Sequence, residues 1–499
     1  MSFFDTENNV KISKIRKNYF SLHPSDFRSI KMKNKNKKLL YDLIEEENVG
    51  TQVEVENYTT QKTSHYLINI SCMANILLDE TKGENIPKKV YDKSEKKLKK
   101  GDVLISRNAT LGKVSYINKD ILGIANGGLS FFKVKEEYKY YLMAFFISSY
   151  GEEALINACS GGGTQKNAKR EDLLNIEIPF PNEENSAFLI NYISNIVLDI
   201  IEKEEQIIYK NRKINKIIED ELLNNQNITN LTYNYPKISQ IKKEKRLDVG
   251  IYKEDFKKNI AIFENYKNSS LKIKNYSPKF YSGATPIFKD IKNSSLPIFV
   301  RPTEMDFNRT YLKIVNIHTK DNIKIHNQEG IIVPRKGGTY ALYKPKDMNV
   351  TINDSLKFLE VDKDCLFIAN IITSNYVQKY LDCVKSKANG GGLREEHIAN
   401  ILIPQFPDNV KNLINVEYFN EGKSNQEKGI YQLNLELFEQ KDKLEKIIFG
   451  IVMDNINEKF FSFNDYLNKC FLDVKKNLES DKFIELKTDE DIDMFLKYL

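Results

Sequence analysis

The chain repeats itself, and a duplicated pattern obliges it to build one architecture twice. Residues 99–117 read KKGDVLISRNATLGKVSYI, and residues 327–345 read NQEGIIVPRKGGTYALYKP. Each has Gly, a run of β-branched residues and Leu, an Arg, a Gly/Thr turn and a second apolar strand. That is the pattern of a hairpin with a basic, small-residue tip. Gly101 and Gly330 are offset by 229, Arg107 and Arg335 by 228. A second pair follows. ACSGGGTQKNAKREDLLNIEIPFP (158–181) matches VKSKANGGGLREEHIANILIPQFP (384–407), with the Gly triplets offset by 229 and Pro179 and Pro404 by 225. Between these landmarks, NGGLSFFKV (126–134) and NDSLKFLEV (353–361) predict another strand. Residues 140–159 and 365–384 predict one amphipathic helix in each copy. FSLHPSDF (20–27) faces KRLDVGIY (245–252), at an offset of 225, where each copy starts.

A long helical pattern follows each copy. Residues 186–224 contain no Gly or Pro, and their isoleucines recur every three to four positions, interrupted by Lys203 and Lys210. About 38 residues make a rod of roughly 57 Å. The second pattern covers about 431–460, with Leu and Ile on one face. Neither rod has apolar surface enough for a core of its own, so the two should pair. The expected fold is α+β: two repeated α/β domains, 1–185 and 229–410, joined by long antiparallel, coiled-coil-like spacer helices in 186–228 and 411–499. The whole should have pseudo-two-fold symmetry, with a mostly antiparallel sheet in each domain.

The chain holds 75 Lys+Arg against 69 Asp+Glu, a net +6. So small a balance excludes a histone-like tail, and only the distribution of charge informs. Residues 1–185 carry net +3, 186–228 net −2, 229–410 net +10 and 411–499 net −5. A polyanion is drawn to the two globular parts. The five cysteines (72, 159, 365, 383 and 470) lie far apart, which excludes a disulfide scaffold and a zinc ribbon and suits reduced thiols. No apolar run approaches the roughly 18 residues of a membrane span, and the first residues lack an apolar signal core. A cytoplasmic protein is expected.

Catalytic signatures are missing. There is no G-x-G-x-x-G after a strand and no Asp/Asn-Pro-Pro-Tyr/Phe. Gly422-Lys423-Ser424 lacks the first Gly of a Walker motif, since position 417 is Glu. The histidines (His23, His65, His318, His326 and His397) are isolated, and His318 and His326 read as surface residues. The acidic runs Glu45–Glu47 and Asp489–Asp491 read as solvated faces. Neither a catalytic residue, a metal nor a cofactor is expected in this chain.

These landmarks resemble the specificity (S) subunit of type I restriction–modification systems. The resemblance rests on Gly101-Asp102-Val103-Leu104-Ile105-Ser106-Arg107, Gly112-Lys113-Val114, the Gly triplet 161–163 leading to Ile-Pro-Phe-Pro (178–181), and Arg246-Leu247-Asp248. Duplicated and ordered, they cover essentially the whole chain. The sequence departs from the pattern at Pro334 before Arg335, and at a long polar stretch, 411–430, ahead of the second helix. The resemblance implies two target-recognition domains, each reading one half of a split site in double-stranded DNA. It implies spacer helices that set the gap and hold modification subunits, two of them, which carry the methyltransferase and bind S-adenosylmethionine. Restriction (translocase/nuclease) subunits are further partners, and phage defence is the setting. A fused methyltransferase or nuclease, and a coiled-coil protein-binding scaffold, are the competing classes.

Direct readout needs donors and acceptors on a rigid projection into the major groove. Ser106, Arg107, Asn108, Thr110 and Lys113 offer one such tip, and Arg335, Lys336, Thr339, Tyr340 and Lys344 the other. Glycines let the backbone approach phosphates. Gly161, Gly162, Gly163, Thr164, Gln165, Lys166 and Lys169 are one candidate clamp; Asn389, Gly390, Gly391, Gly392 and Arg394 are its equivalent. Ile193, Ile196, Ile200, Ile207 and Ile214, with Leu433, Leu437, Leu444 and Ile448, are the candidate interface residues of the spacers.

Overall fold

The structure is a computed structural model. It describes residues 4–6, 28–30, 32–59, 63–73, 76–108, 111–160, 167–182, 186–227, 238–239, 241, 252, 254–284, 298–302, 305, 315–316, 324–336, 340–385, 392–420 and 427–454. Two compact units emerge, one built on 3–199 with 441–499 and the other on 200–440. Each holds one copy of the repeat. The paired segments 20–27 and 245–252 fall outside the described residues, apart from Tyr252.

In the first unit Phe4–Thr6 (β1) pairs antiparallel with Arg28–Ile30 (β2). There follow Lys37–Leu39 (β3), Ile44–Val49 (β4), Tyr66–Ile68 (β5), Glu84–Asn85 (β6), Val103–Ser106 (β7), Val114–Tyr116 (β8), Gly123–Ala125 (β9), Leu129–Val134 (β10), Cys159–Ser160 (β11), Asn167–Ala168 (β12) and Glu177–Pro179 (β13). An antiparallel sheet runs β4-β10-β7-β8. A second runs β6-β5-β9, with β5 and β9 parallel. β3 pairs with β13. The run Val-Leu-Ile-Ser of β7 does not alternate because β7 is an inner strand, and all four residues are buried. Leu104, Leu129 and Phe131 share a core with Ile68 and Ala125 of the other sheet. Each Leu, Ile or Phe among them contributes about 1.5–3 kcal/mol on burial.

The second unit repeats this. Its strands are Ser270–Lys272 (β14), Lys279–Ser282 (β15), Ile298–Val300 (β16), Val315–Asn316 (β17), Gly330–Pro334 (β18), Leu342–Lys344 (β19), Val350–Ile352 (β20), Leu356–Glu360 (β21) and Leu402–Pro404 (β22). The main sheet runs β15-β21-β18-β19, the second β17-β16-β20 with β16 and β20 parallel, and β14 pairs with β22. Nine strands of each copy thus correspond one to one, in order, pairing and direction. The core corresponds too: Val300, Ile332, Ile352, Leu356 and Phe358 gather as their counterparts do.

The single helix expected after the last sheet strand is two. Lys139–Ile147 and Ser149–Asn157 break at Ser148; Cys365–Thr373 and Asn375–Val384 break at Ser374. Both serines have extended backbone, and each hydroxyl donates to a carbonyl three residues back, Phe145 or Ile371. Gly151 is required here, since a Cβ would lie 2.0 Å from the Phe145 carbonyl oxygen. The leading helices are not amphipathic. All nine residues of Cys365–Thr373 are buried, as a helix apolar on every side must be.

Ser186–Asn224 is one unbroken helix of 39 residues, about 58 Å long at 1.5 Å per residue. Its counterpart comes in two pieces, Asp408–Phe419 and Ile430–Val452. Asn420, left-handed at φ 65°, ends the first piece. The polar stretch expected from 411 therefore opens inside a helix, and the second helix starts at 408. Residues 455–499 lie outside the described set. In the first unit, Lys443 lies over the Tyr192 ring at 5.0 Å and Asn182 donates to Asp454 at 3.1 Å, so these segments run antiparallel. In the second unit, Lys203 pairs with Glu436 at 3.5 Å, and Lys210 and Lys213 converge on Glu417, which is again antiparallel. The two lysines that interrupt the isoleucine stripe are thus partnered. Ile193, Ile196, Ile200, Ile207, Ile214, Leu433, Leu437, Leu444 and Ile448 are all buried within the chain itself.

Candidate nucleic-acid interface

In each copy, four chain segments meet where the central strand ends, and the main chain holds them. Arg107, just past β7, donates its amide to the Gly128 carbonyl at 2.9 Å and accepts from Ala168 at 2.8 Å. Arg335, just past β18, donates to Ser355 at 2.8 Å and accepts from Leu393 at 2.7 Å. Asn126 donates to Ile68 at 2.8 Å, and Asn353 to Val300 at 2.9 Å. The side chains of these asparagines accept from Gly128 at 3.0 Å and Ser355 at 2.9 Å, closing the same Asx turn. The segment after the edge strand crosses over this turn. Thr51 donates to Ala125 at 2.8 Å, and Ala284 to Ile352 at 3.0 Å. The crossing is so close that a Cβ on Gly50 would lie 2.0 Å from the Asn126 oxygen, and one on Gly283 2.0 Å from the Asn353 oxygen.

The tip and the segment after the Gly triplet are therefore neighbours in both copies. Gly50, Gly283, Asn126 and Asn353 were not singled out from sequence. The only signal for the two glycines was a Gly directly after a short strand, offset by 233, far too weak alone, and the two asparagines stood only as the first residues of the matched segments 126–134 and 353–361.

The tip residues divide. Ser106 is buried, and its hydroxyl accepts from the Lys113 amide at 3.0 Å; both close the hairpin. The guanidinium of Arg107 is half-buried, with Nε and Nη2 on the Ala168 carbonyl at 3.2 and 3.0 Å. Asn108 lies against Gly128, whose added Cβ would come 2.5 Å from its Oδ1. Arg335 and Lys336 are exposed, and Tyr340 is half-buried. Gly392 passes the Arg335 carbonyl so closely that a Cβ would sit 2.7 Å away. Lys169 and Arg394 are matched, exposed and basic, each preceding a short helix. Lys344 stands apart. It is fully buried opposite Gly330, at the far end of β18 from Arg335, and its ammonium donates to the Gln328 carbonyl at 2.7 Å. Burial lowers its pKa to about 8. It belongs to the core and not to the tip. Thr110, Gly161, Gly162, Gly163, Thr164, Gln165, Lys166, Thr339, Asn389, Gly390 and Gly391 lie outside the described residues.

Two further expectations are corrected. His326 is 1 % exposed and stacks on Phe358 at 4.1 Å, so it is a core residue and not a surface one. Glu47 is also covered, its side chain 4 % exposed beside Arg170 at 2.6 Å, whereas Glu45 is open and pairs with Lys133. Among the described residues, no group of three His, Cys, Asp or Glu is placed to hold a metal, and no helix is long and apolar enough to cross a membrane.

Solved structures similar to this chain include the S subunit of a type I restriction–modification system from M. genitalium, at 13% identity, 85% of this chain, 96% of that one and a TM-score of 0.34. A chain solved for complex assembly and conformational transition of the type I R-M system has 12% identity, 86% and 100% coverage and a TM-score of 0.27. The HsdS subunit from Thermoanaerobacter tengcongensis has 10% identity, 84% and 97% coverage and a TM-score of 0.27. Overlays this loose assign nothing by themselves. No curated protein matches. The family model described as the type I restriction modification DNA specificity domain matches residues 27–220, which take in β3 to β13 and nearly all of the first long helix. Residues 27–220 thus match a type I restriction–modification DNA specificity domain, and nine of the strands in that span recur in the second copy in the same order and pairing.

Proposed function

We propose that this chain is the DNA-recognition subunit of a type I restriction–modification complex, each copy reading one half of a bipartite, asymmetric site. The observation that carries the reading is the double convergence. In both copies an Arg-bearing tip and the segment after a Gly triplet are joined by the same main-chain bonds at one end of the same sheet. Loops held on a rigid frame suit base readout, and Lys169 and Arg394 beside them suit phosphates. The site is asymmetric because the tips differ: Arg107-Asn108-Ala109-Thr110 against Arg335-Lys336-Gly337-Gly338-Thr339.

The chain has no catalytic role in this reading. S-adenosylmethionine and methyl transfer to adenine belong to two modification subunits held by the spacers, and restriction subunits join the same assembly. A helix of about 58 Å spans at most about 17 base pairs of roughly 3.4 Å each, and packing of the domains onto it leaves an unread gap of roughly five to nine. Methylome sequencing with and without the gene should reveal one split, non-palindromic motif. Deleting two helical turns within 197–211 should narrow its gap and spare both halves. A continuous or palindromic motif contradicts the reading. Purified alone with DNA and labelled S-adenosylmethionine, the chain should transfer nothing; transfer by the isolated chain favours the enzyme alternative.

A further inference from the structure

The two matched arginines are held differently, and we infer that Arg107 is a positioning residue for the first recognition loop, whereas Arg335 is the tip arginine presented to DNA. This rests on the DNA-reading role proposed above and assigns unlike parts to like positions. Arg107 bonds Ala168 from both sides. Its carbonyl accepts the Ala168 amide at 2.8 Å, and its Nε and Nη2 donate to the Ala168 carbonyl at 3.2 and 3.0 Å. Its own amide meanwhile holds Gly128. One residue therefore pins the segment following the Gly triplet and the Asx turn to the end of β7. The Nε–Nη2 side of a guanidinium is one of the edges that can grip a base or a phosphate in a fork. Here that edge is spent on the chain itself. Swinging it out to DNA would strip both side-chain donors from the carbonyl of Ala168, a residue only 1 % exposed.

The second copy keeps the main-chain bonds and releases the side chain. Leu393 donates to the Arg335 carbonyl at 2.7 Å, yet the Arg335 side chain is exposed. The reason lies in the partner residue. Leu393, 2 % exposed, buries an isobutyl group where Ala168 buries a methyl. Gly392 lets the two backbones close on each other, its absent Cβ having only 2.7 Å to the Arg335 oxygen. Apolar burial holds the second junction and a guanidinium holds the first, which leaves Arg335 free to be aimed outward beside exposed Lys336.

The test is selection of duplexes from a random library by the full chain assembled with its modification subunits, with amide exchange measured on the same proteins. Arg107→Ala should weaken preference at every read position of one half-site, leave the other half-site intact, and speed exchange at 167–170. Arg107→Lys, which can still donate to the Ala168 carbonyl, should recover part of both effects and serves if the alanine variant does not fold. Arg335→Ala should reduce discrimination about tenfold at one base pair of the other half-site, with exchange at 392–395 unchanged. Relaxation of a single base pair by Arg107→Ala with unaltered exchange overturns the inference, as does an Arg335→Ala protein that selects like the wild type. A wild-type complex that enriches no sequence overturns the DNA-reading role and the inference with it.

Discussion

The two copies agree in their strands and disagree in their joints. Nine strands share one order, and the same main-chain bonds recur at the convergent end of the sheet. Yet one copy leads into an unbroken helix of 39 residues and the other into helices of 12 and 23. One tip arginine is tied down and the other is exposed. One core encloses Asp102, the other His326 and Lys344. The difference teaches that the frame is built from backbone pairing and apolar burial, which tolerate almost any side chain at their margins. The margins are where the copies have gone separate ways.

The largest expected break in that comparison is Glu417→Gln. Glu417 is 3 % exposed and answers both Lys210, 8 % exposed, and Lys213. Removing its charge leaves a lysine buried without its counter-ion, at a cost of about 3–5 kcal/mol. Amide protection in β18 and β21 should fall, and that in β7 and β10 should hold. Equal loss in both copies would show that they unfold as one. Replacing the pair together, Lys210→Met with Glu417→Leu, should restore most of the stability.

Acid should separate the copies next. Burial lowers the His326 pKa from 6.5 to about 4, Lys324 and Lys344 pushing the same way and Glu360 opposing. The stability from keeping His326 neutral is present above 6.5 and is lost as pH falls through 4. Asp102 has the opposite sign. Burial raises its pKa from 3.8 to about 6 against the hydrogen bond from Lys99, so its contribution is present below 3.8 and lost as pH rises through 6. Between pH 6.5 and 4 the second copy should weaken by about 2–3 kcal/mol while the first gains. Hydrogen exchange at pH 6.5 and 4.5 reads both at once. Earlier loss of protection in the first copy would reverse the assignment, and His326→Leu should flatten the second profile.

The smallest effect probes equivalence itself. Gly50→Ala and Gly283→Ala each drive a methyl into a carbonyl oxygen 2.0 Å away. Each should cost about 1–3 kcal/mol through forced backbone shifts, seen as matched falls in thermal midpoint. A penalty at one and none at the other would mean that the two crossings are not the same structure.

The features legible in the chain were local ones. Val-Leu-Ile-Ser (103–106) and Gly-Ile-Ile-Val-Pro (330–334) announce buried strands because an inner strand is apolar on both faces. The isoleucines of 186–218 announce a helix with one buried face for the same kind of reason. What stayed hidden needs a partner far along the chain. Lys210 looks like a flaw in the stripe until Glu417, 207 residues on, is beside it. His326 looks like a surface residue of a polar stretch until Phe358 covers it. The breaks at Ser148 and Ser374 turn on hydroxyls that can serve a helix interior or a cap equally well.

By itself, the sequence determined that one architecture is built twice, which segments are strand or long helix, and that both globular parts carry positive charge. These follow from apolar period, glycine placement and composition, quantities that any short window of chain contains. Tertiary structure alone decided what each marked residue does there. It put Lys344 in the core, brought the segment after the Gly triplet against the tip, and turned Arg107 inward and left Arg335 outward. An arginine side chain can serve a carbonyl of its own protein or a base of another molecule with the same donors, and only the packing around it, a methyl at Ala168 or an isobutyl at Leu393, selects between them.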